Sequence, residues 1–239
     1  MNTYYQKTLD FQEKLKHYAW NIFKTYGREL VMRLEEYNLL QNKHNCIESS
    51  TAIGFVLEEF IVSKLEMYTH CGSEDYVIDR FTGATASESF DCYSIKNGTK
   101  FMVNVKAEKN GQANNALAAI GQLHRNYCQD RPEQEKSFIL FKVQYSIQDA
   151  YEDTADRRAK PRCLYINELD SYCLEEVDFS KEHKQDNRSW SVASDGKSNK
   201  NNGRFIISSA FRKSHRVPID EISYENTFKM LNDLVANNK

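Results

Sequence analysis

The stretch that decides the fold is Ser89–Lys109, SFDCYSIKNGTKFMVNVKAEK. Apolar and polar residues alternate on both sides of Asn97-Gly98, and such alternation is typical of strands that are buried on one face. Asn-Gly is the favoured pair for a two-residue turn in which both residues have a positive φ. The stretch therefore predicts a β-hairpin, and a two-residue loop places Asp91 directly opposite Asn104.

The predicted hairpin brings three kinds of oxygen ligand to one patch. Asp91 supplies a carboxylate, Asn104 a neutral amide oxygen and Val105 a backbone carbonyl. Mg²⁺ prefers hard oxygen ligands and takes few of them from the protein, so these groups are candidate metal ligands. Lys106 follows directly, where an ammonium can orient a water, lower its pKa or stabilise charge on phosphorus. The pattern indicates metal-assisted hydrolysis.

The segment resembles the metal-binding hairpin of the PD-(D/E)xK nuclease superfamily and, among its branches, the type II restriction endonucleases. Asp91 matches the first acid of the family motif and Lys106 matches its lysine. Asn104 stands where the motif usually has Asp or Glu, and Phe90 replaces the usual proline. Because a neutral amide binds a metal ion more weakly than a carboxylate, a further acid is a candidate to compensate.

Three glutamates are candidates for this additional acid. In the family a glutamate from the helix before the hairpin often joins the metal cluster, and Thr51–Tyr68 has the apolar spacing of an amphipathic helix. Glu59 lies on the partly apolar stripe of this helix and is favoured over Glu58. Glu108 lies on the same strand face as Asn104 and is the third candidate. The predicted catalytic set is Asp91, Asn104, Lys106 and Glu59.

The order of the predicted elements agrees with the core that the resemblance implies. After the helix over Thr51–Tyr68 come a short strand, the hairpin, a second helix and two further strands. Outside the hairpin their ranges are Tyr76–Phe81, Gln112–Tyr127, Ser137–Tyr145 and Arg162–Ile166. The predicted fold is α/β (α+β), a restriction-endonuclease-like core in which helices flank a mixed central β-sheet.

The rest of the chain is predicted to extend one endonuclease domain of 239 residues. Residues 1–45 form a helical N-terminal arm, 50–167 the catalytic core and 168–239 a C-terminal extension. Two helices within Thr3–Leu40 make up the arm. The extension begins with a polar segment, Glu168–Asn202, whose end has the composition of a flexible loop. A strand over Arg204–Phe211 and a closing helix over Ile222–Ala236 follow.

Composition limits the class of protein. The formal net charge is −2, so binding to nucleic acid depends on a local basic surface. No apolar run approaches the roughly 18 residues that span a bilayer, and the N-terminus lacks the apolar region of a signal peptide. The six cysteines show no C-x-x-C spacing and are expected to be free thiols. We therefore expect a cytoplasmic protein without a membrane partner. Because the sequence has no P-loop motif, we also expect no nucleotide cofactor.

Two segments are candidates for contact with DNA. The first begins the second predicted helix, where free N–H groups and a partial positive charge suit a phosphate and amide side chains suit adenine. The second is the most basic part of the C-terminal extension, although a run of charges is often only a solvated face. The candidate residues are Lys109, Gln112, Asn114, Asn115, Lys197, Lys200, Arg204, Arg212 and Lys213.

The resemblance implies a function in DNA cleavage. It implies Mg²⁺-dependent, sequence-specific hydrolysis of phosphodiester bonds in double-stranded DNA, carried out by a homodimer because a two-fold symmetric DNA site calls for a two-fold symmetric protein. Two alternatives stay open. The asparagine at position 104 is what a catalytically degenerate DNA-binding module of this fold would carry. A structure-specific repair or resolvase nuclease is the other alternative.

Overall fold

A computed structural model describes residues 3–26, 29–31, 50–82, 88–110, 116–149, 162–177, 184–186, 204–206 and 217–237. Within these ranges, four α-helices cover Thr3–Tyr26 (α1), Ser50–Cys71 (α2), Ile120–His124 (α3) and Tyr224–Asn237 (α4). A π-helical turn, Arg125–Gln129, continues α3, and 3₁₀ turns cover Leu174–Glu176 and Ile219–Glu221. None of the helices in the described ranges is both long and apolar enough to cross a membrane.

The strands of the described ranges form two sheets. They are Glu29–Val31 (β1), Asp79–Arg80 (β2), Cys92–Lys96 (β3), Thr99–Lys109 (β4), Ala116–Ala119 (β5), Lys136–Asp149 (β6), Arg162–Cys173 (β7), Lys184–Asp186 (β8) and Arg204–Ile206 (β9). The larger sheet has the order β1-β7-β6-β4-β3-β2 and the smaller one β5-β9-β8. In the larger sheet β4 and β6 run parallel and the other neighbours antiparallel. The predicted α+β class, with a mixed sheet and flanking helices, is confirmed.

The hairpin of β3 and β4 has the predicted turn. Asn97 and Gly98 have φ angles of 50° and 82°, so both turn residues adopt the left-handed conformation that Asn-Gly favours. Cys92 is the register partner of Val103, and this register confirms the two-residue loop.

Within the described part of the chain, β4 has an open edge at its carboxyl end. β3 pairs with β4 only as far as Val103, whereas β6 pairs with the other side of β4 up to Lys109. Among the described residues, no strand pairs with the β3 side of β4 beyond Val103. Asp91 precedes β3 by one residue, and its N–H donates to Val103 O at 2.9 Å, next to the last register pair, Cys92 and Val103. The polar residues of the predicted site therefore lie around an unpaired strand edge.

Apolar residues cover both faces of the larger sheet. On one face, Phe101, Val103 and Val105 of β4 pack with residues of α1 and α2. On the other face, Met102 packs with residues of α3, β6 and α4. The alternation of the β4 sequence thus has its expected cause, since successive residues face different helices. Gly54 of α2 faces Ala107 of β4, and this close approach sets the helix beside the open edge.

Three sequence predictions are wrong in part because a distant strand decides the conformation. Ala116–Ala119, predicted within a helix, form β5 and pair with β9. Glu29–Val31, predicted within the helical arm, form β1 and pair with β7. Glu168–Cys173, assigned to a polar segment, complete β7 by pairing with β6. Residues 32–49, which include the end of the predicted helical arm, lie outside the described residues. So do residues 111–115, which include the start of the second predicted helix.

Other boundaries differ only in length. The strand predicted over Tyr76–Phe81 is reduced to Asp79–Arg80, whereas Ser137–Tyr145 lies inside the longer strand β6. The closing helix predicted over Ile222–Ala236 begins at Tyr224. The helix predicted before the hairpin, Thr51–Tyr68, lies within α2. Residues 207–211 of the last predicted strand lie outside the described residues.

Candidate functional site

Asp91 lies just before β3 begins, beside the open edge of β4. Its Oδ2 accepts a hydrogen bond from Val105 N at 2.7 Å, so a side chain satisfies the backbone N–H that a longer β3 would have paired. Burial raises the pKa of the Asp91 carboxyl, and the Lys106 ammonium and the Val105 N–H oppose this shift. Lys106 and the Val105 N–H therefore offset part of the effect of burial on this carboxyl.

Glu58 of α2 occupies the next position along the same edge. Its Oε1 accepts a hydrogen bond from Ala107 N at 2.8 Å, and its Oε2 lies 3.6 Å from Lys106 Nζ. Burial raises the pKa of the Glu58 carboxyl, Lys106 and the Ala107 N–H lower it, and the negative charge of Asp91 raises it. Two carboxylates and one ammonium therefore share the end of one strand.

The site remains open to solvent. The Lys106 and Glu58 side chains are 25% and 21% exposed, so a ligand can reach them while their mutual interaction is only partly screened. The N–H groups of Val105 and Ala107 both face the edge, and in a strand the carbonyl of a residue faces the same side as its N–H. The carbonyl oxygen of Val105 is therefore available beside Asp91.

Glu59, the favoured helical acid of the sequence analysis, has a different partner. Its Oε2 forms an ion pair with Arg80 Nη2, and Arg80 Nη1 donates to Ser63 Oγ at 2.9 Å. Neighbouring helical residues point about 100° apart, so only one of two adjacent glutamates reaches β4. The structure brings Glu58 to Lys106.

Arg80 was missed by the sequence analysis. It is near enough to Asp91 for its charge to lower the pKa of that carboxyl, while Glu59 acts in the opposite sense. No motif in the sequence marks this arginine, because its role depends on how β2 packs against α2. Glu108, the third candidate acid, pairs with Lys142 at 3.0 Å, and both side chains are buried.

The nitrogen and the oxygen of the Asn104 side-chain amide differ in their hydrogen bonding. The residue is only 7% exposed, and its Nδ2 donates to the backbone carbonyl of Ser89 at 2.7 Å. Its Oδ1 is buried and has no hydrogen-bond partner among the described residues. A buried acceptor without a partner is uncommon and is consistent with a ligand that completes the site.

The oxygen atoms around the open edge suit Mg²⁺. The carboxylates of Asp91 and Glu58, the Val105 carbonyl and Asn104 Oδ1 are all hard donors. In the described ranges no three His, Cys, Asp or Glu side chains gather into a metal-binding group. Mg²⁺ is usually bound through one or two carboxylates and several waters, so two acids are enough for this ion.

Most of the predicted DNA contacts lie outside the described residues. Lys109 ends β4 and is half-buried, and Arg204 begins β9, where no side chain is described. Of the remaining candidates the structure describes nothing: Gln112, Asn114, Asn115, Lys197, Lys200, Arg212 and Lys213.

No family model matches this chain, and no curated protein matches it. The function is therefore inferred from the chemistry of the open edge. Two acids that bind a hard cation, with a lysine beside them, are suited to hydrolysis of a phosphate ester.

Proposed function

We propose that this protein is a type II restriction endonuclease, which hydrolyses phosphodiester bonds in double-stranded DNA at specific sequences with Mg²⁺. One observation carries the proposal. Asp91, Glu58 and Lys106 meet at an unpaired strand edge, where both carboxylates are fixed by backbone N–H groups. Prearranged charge of this kind stabilises the transition state, because no reorganisation is needed when the reaction occurs.

Each residue has a distinct role in the proposed reaction. Mg²⁺, when bound, supplies Lewis-acid chemistry at the phosphate and at water. Asp91 and Glu58 provide the negative charge that binds the ion, and the Val105 carbonyl adds a neutral ligand. Lys106 orients the attacking water and neutralises the charge that develops on the phosphate oxygens. The water oxygen would form a new bond to phosphorus in line with the P–O ester bond that breaks, and the proton that water loses would be balanced by one that the leaving oxygen takes up from solvent. A homodimer is part of the proposal, since each subunit would cut one strand of a symmetric site.

Cleavage of plasmid DNA by a lysine variant tests the proposal. Lys106→Ala is expected to lower the cleavage rate by about 10²- to 10⁴-fold, the usual effect of losing a group that assists proton transfer or holds developing charge. Binding of DNA in a mobility-shift assay should persist. The matched control is Lys14→Ala, because Lys14 pairs with Asp75 at 2.6 Å on the surface. EDTA should stop cleavage by the wild type, and normal cutting by Lys106→Ala would refute the role of Lys106.

A DNA-binding module without catalysis is the second candidate. It is favoured by Asn104, which is neutral and whose amide nitrogen is already bonded to Ser89. In this case the wild type shifts the mobility of duplex DNA but cuts none of it in Mg²⁺. Cutting of branched DNA with intact plasmid left whole would instead indicate a structure-specific nuclease.

A further inference from the structure

Ser89, two residues before Asp91, is fixed by hydrogen bonds to two buried asparagines. The N–H and the hydroxyl of Ser89 both donate to Asn126 Oδ1, at 3.1 Å and 2.8 Å. Its carbonyl accepts a hydrogen bond from Asn104 Nδ2 at 2.7 Å. Ser89, Asn104 and Asn126 are 4%, 7% and 3% exposed, so water cannot replace a lost partner without rearrangement.

Asn126 is itself held in one orientation. Its Nδ2 donates to Glu88 Oε2 and to Asp130 Oδ2, the latter at 3.2 Å, and this leaves Oδ1 to face Ser89. The residue belongs to the π-helical turn Arg125–Gln129 that continues α3. Single π-helical turns are frequent at functional sites, where they redirect a side chain that a regular helix would place elsewhere.

The segment that carries Asp91 has few ladder bonds of its own. β3 begins only at Cys92, and the Asp91 backbone is bonded through its N–H to Val103 O at 2.9 Å and through its carbonyl to Phe81 N at 3.2 Å. The carboxylate must nevertheless stay against Val105 N to face the open edge. The anchored Ser89 restricts the chain immediately before it.

We infer that Asn126 and the amide nitrogen of Asn104 are positioning residues for Asp91, which act by fixing Ser89. An amide at position 104 has a specific purpose in this arrangement. The Ser89 carbonyl can only accept a hydrogen bond, so an ionised aspartate at position 104 would face it without a donor. The placement of Asp91 stands apart from the proposed function, and only its consequence for metal binding and cleavage rests on that function.

Hydrogen exchange of the Val105 amide, followed by NMR on the full chain, tests the inference directly. This amide reports whether Asp91 Oδ2 stays in place. The amide of Lys100 is the internal reference, because it donates to Glu135 O at 2.8 Å at the other end of β4. Asn104→Asp and Asn126→Ala are expected to speed Val105 exchange about tenfold relative to Lys100, the effect of weakening one hydrogen bond.

Two serines provide a milder variant and a matched control. Ser89→Ala removes only the hydroxyl bond to Asn126 and should give a smaller increase of the same kind, which serves if Asn126→Ala does not fold. Ser94 is also a buried serine of this hairpin, but its Oγ has no partner among the described residues. Ser94→Ala is therefore expected to leave the ratio of the two exchange rates unchanged.

The Mg²⁺ affinity of Asn104→Asp distinguishes a residue that positions Asp91 from one that only binds the metal ion. The variant should bind Mg²⁺ about tenfold more weakly in calorimetric titration, although it adds a carboxylate, because losing a group that orients a ligand typically costs this much. Unchanged Val105 exchange in both asparagine variants, or a rise that Lys100 shares, would overturn the inference. If the exchange ratio rises but the wild type cuts no DNA, the positioning stands and the proposed function fails.

Discussion

The two ends of the paired strands β4 and β6 hold acids in different ways. At the carboxyl end, Asp91 and Glu58 accept bonds from strand N–H groups and lie beside a lysine. At the other end, Glu175 accepts hydroxyl bonds from Tyr4, at 2.8 Å, and from Tyr127. Burial raises the pKa of all three acids. A perturbed acid therefore does not identify a reactive site unless solvent and a cation also reach it.

The enclosed end connects elements of the fold. The Tyr4 hydroxyl of α1 also lies 2.6 Å from the Lys136 carbonyl oxygen, where β6 begins. Tyr5 donates to Glu176 at 2.9 Å, and the Cys173 N–H donates to the same carboxylate at 2.6 Å. These bonds join the start of α1 to the start of β6 and the end of β7. Changes here should affect stability, whereas changes at the open edge should affect chemistry.

The largest expected effect contrasts two adjacent glutamates of α2. Glu58→Gln removes a negative charge beside Lys106 and should lower plasmid cleavage about 10²-fold, comparable with the loss of one charge-stabilising group. Glu59→Gln weakens the ion pair with Arg80 and removes a smaller charge effect on Asp91, and it should change the rate less than about tenfold. Rates measured at saturating Mg²⁺ decide between them. Equal losses of cleavage rate in the two variants would contradict the assignment of Glu58, and not Glu59, to the site.

The enclosed end should respond in stability and not in rate. Tyr127→Phe removes one hydroxyl donor from buried Glu175 and is expected to lower the free energy of unfolding by about 1–3 kcal/mol in urea titration. Tyr76→Phe is the control, since the Tyr76 hydroxyl donates to Asp10 in a partly buried position and should cost less. The cleavage rate at permissive temperature should be the same for both variants. A large loss of cleavage rate in Tyr127→Phe would contradict the prediction that the enclosed end affects stability alone.

A pH titration of stability sharpens the same distinction. The raised pKa of Glu175 means that the folded protein holds the proton more tightly than the unfolded chain. The free energy of unfolding therefore falls as pH rises from the ordinary carboxyl range through the raised pKa, and Glu175 has no further effect above it. Glu175→Gln lacks this proton, so its stability relative to the wild type should rise with pH across that window. Parallel urea-unfolding curves at every pH would contradict the assignment.

The hairpin could be predicted from sequence because its determinants are local. Asn97 and Gly98 set the turn, and the alternation after them sets which residues face the core. The register then follows, and it ends with Cys92 opposite Val103, one residue after Asp91. Local rules failed at β5, where Ala116–Ala119 have helical propensity but pair with β9 far along the chain.

The remaining part of the site could not be predicted because it depends on packing between elements. The helical pattern located α2 but left the choice between Glu58 and Glu59 to the rotation of the helix over β4. Asn126 carries no motif, and its contact with Ser89 arises only when a π-helical turn meets the hairpin. Spacing in the sequence predicts Asp91 and Lys106 as candidate site residues, whereas their partners come from tertiary structure.

The smallest expected effect concerns the turn that leads into β4, the strand that runs between the two ends. Gly98 has a φ of 82° and no atom lies within 4 Å of the position of an added Cβ, so Gly98→Ala costs backbone strain without a clash. We expect a loss of about 1 kcal/mol in urea titration. Gly72→Ala is the control, because Gly72 lies outside the left-handed region and its nearest neighbour is the flexible Glu74 side chain. Cleavage should not change in Gly98→Ala, since a one-residue slip would turn Val103 and Val105 out of the core at a far greater cost than the strain.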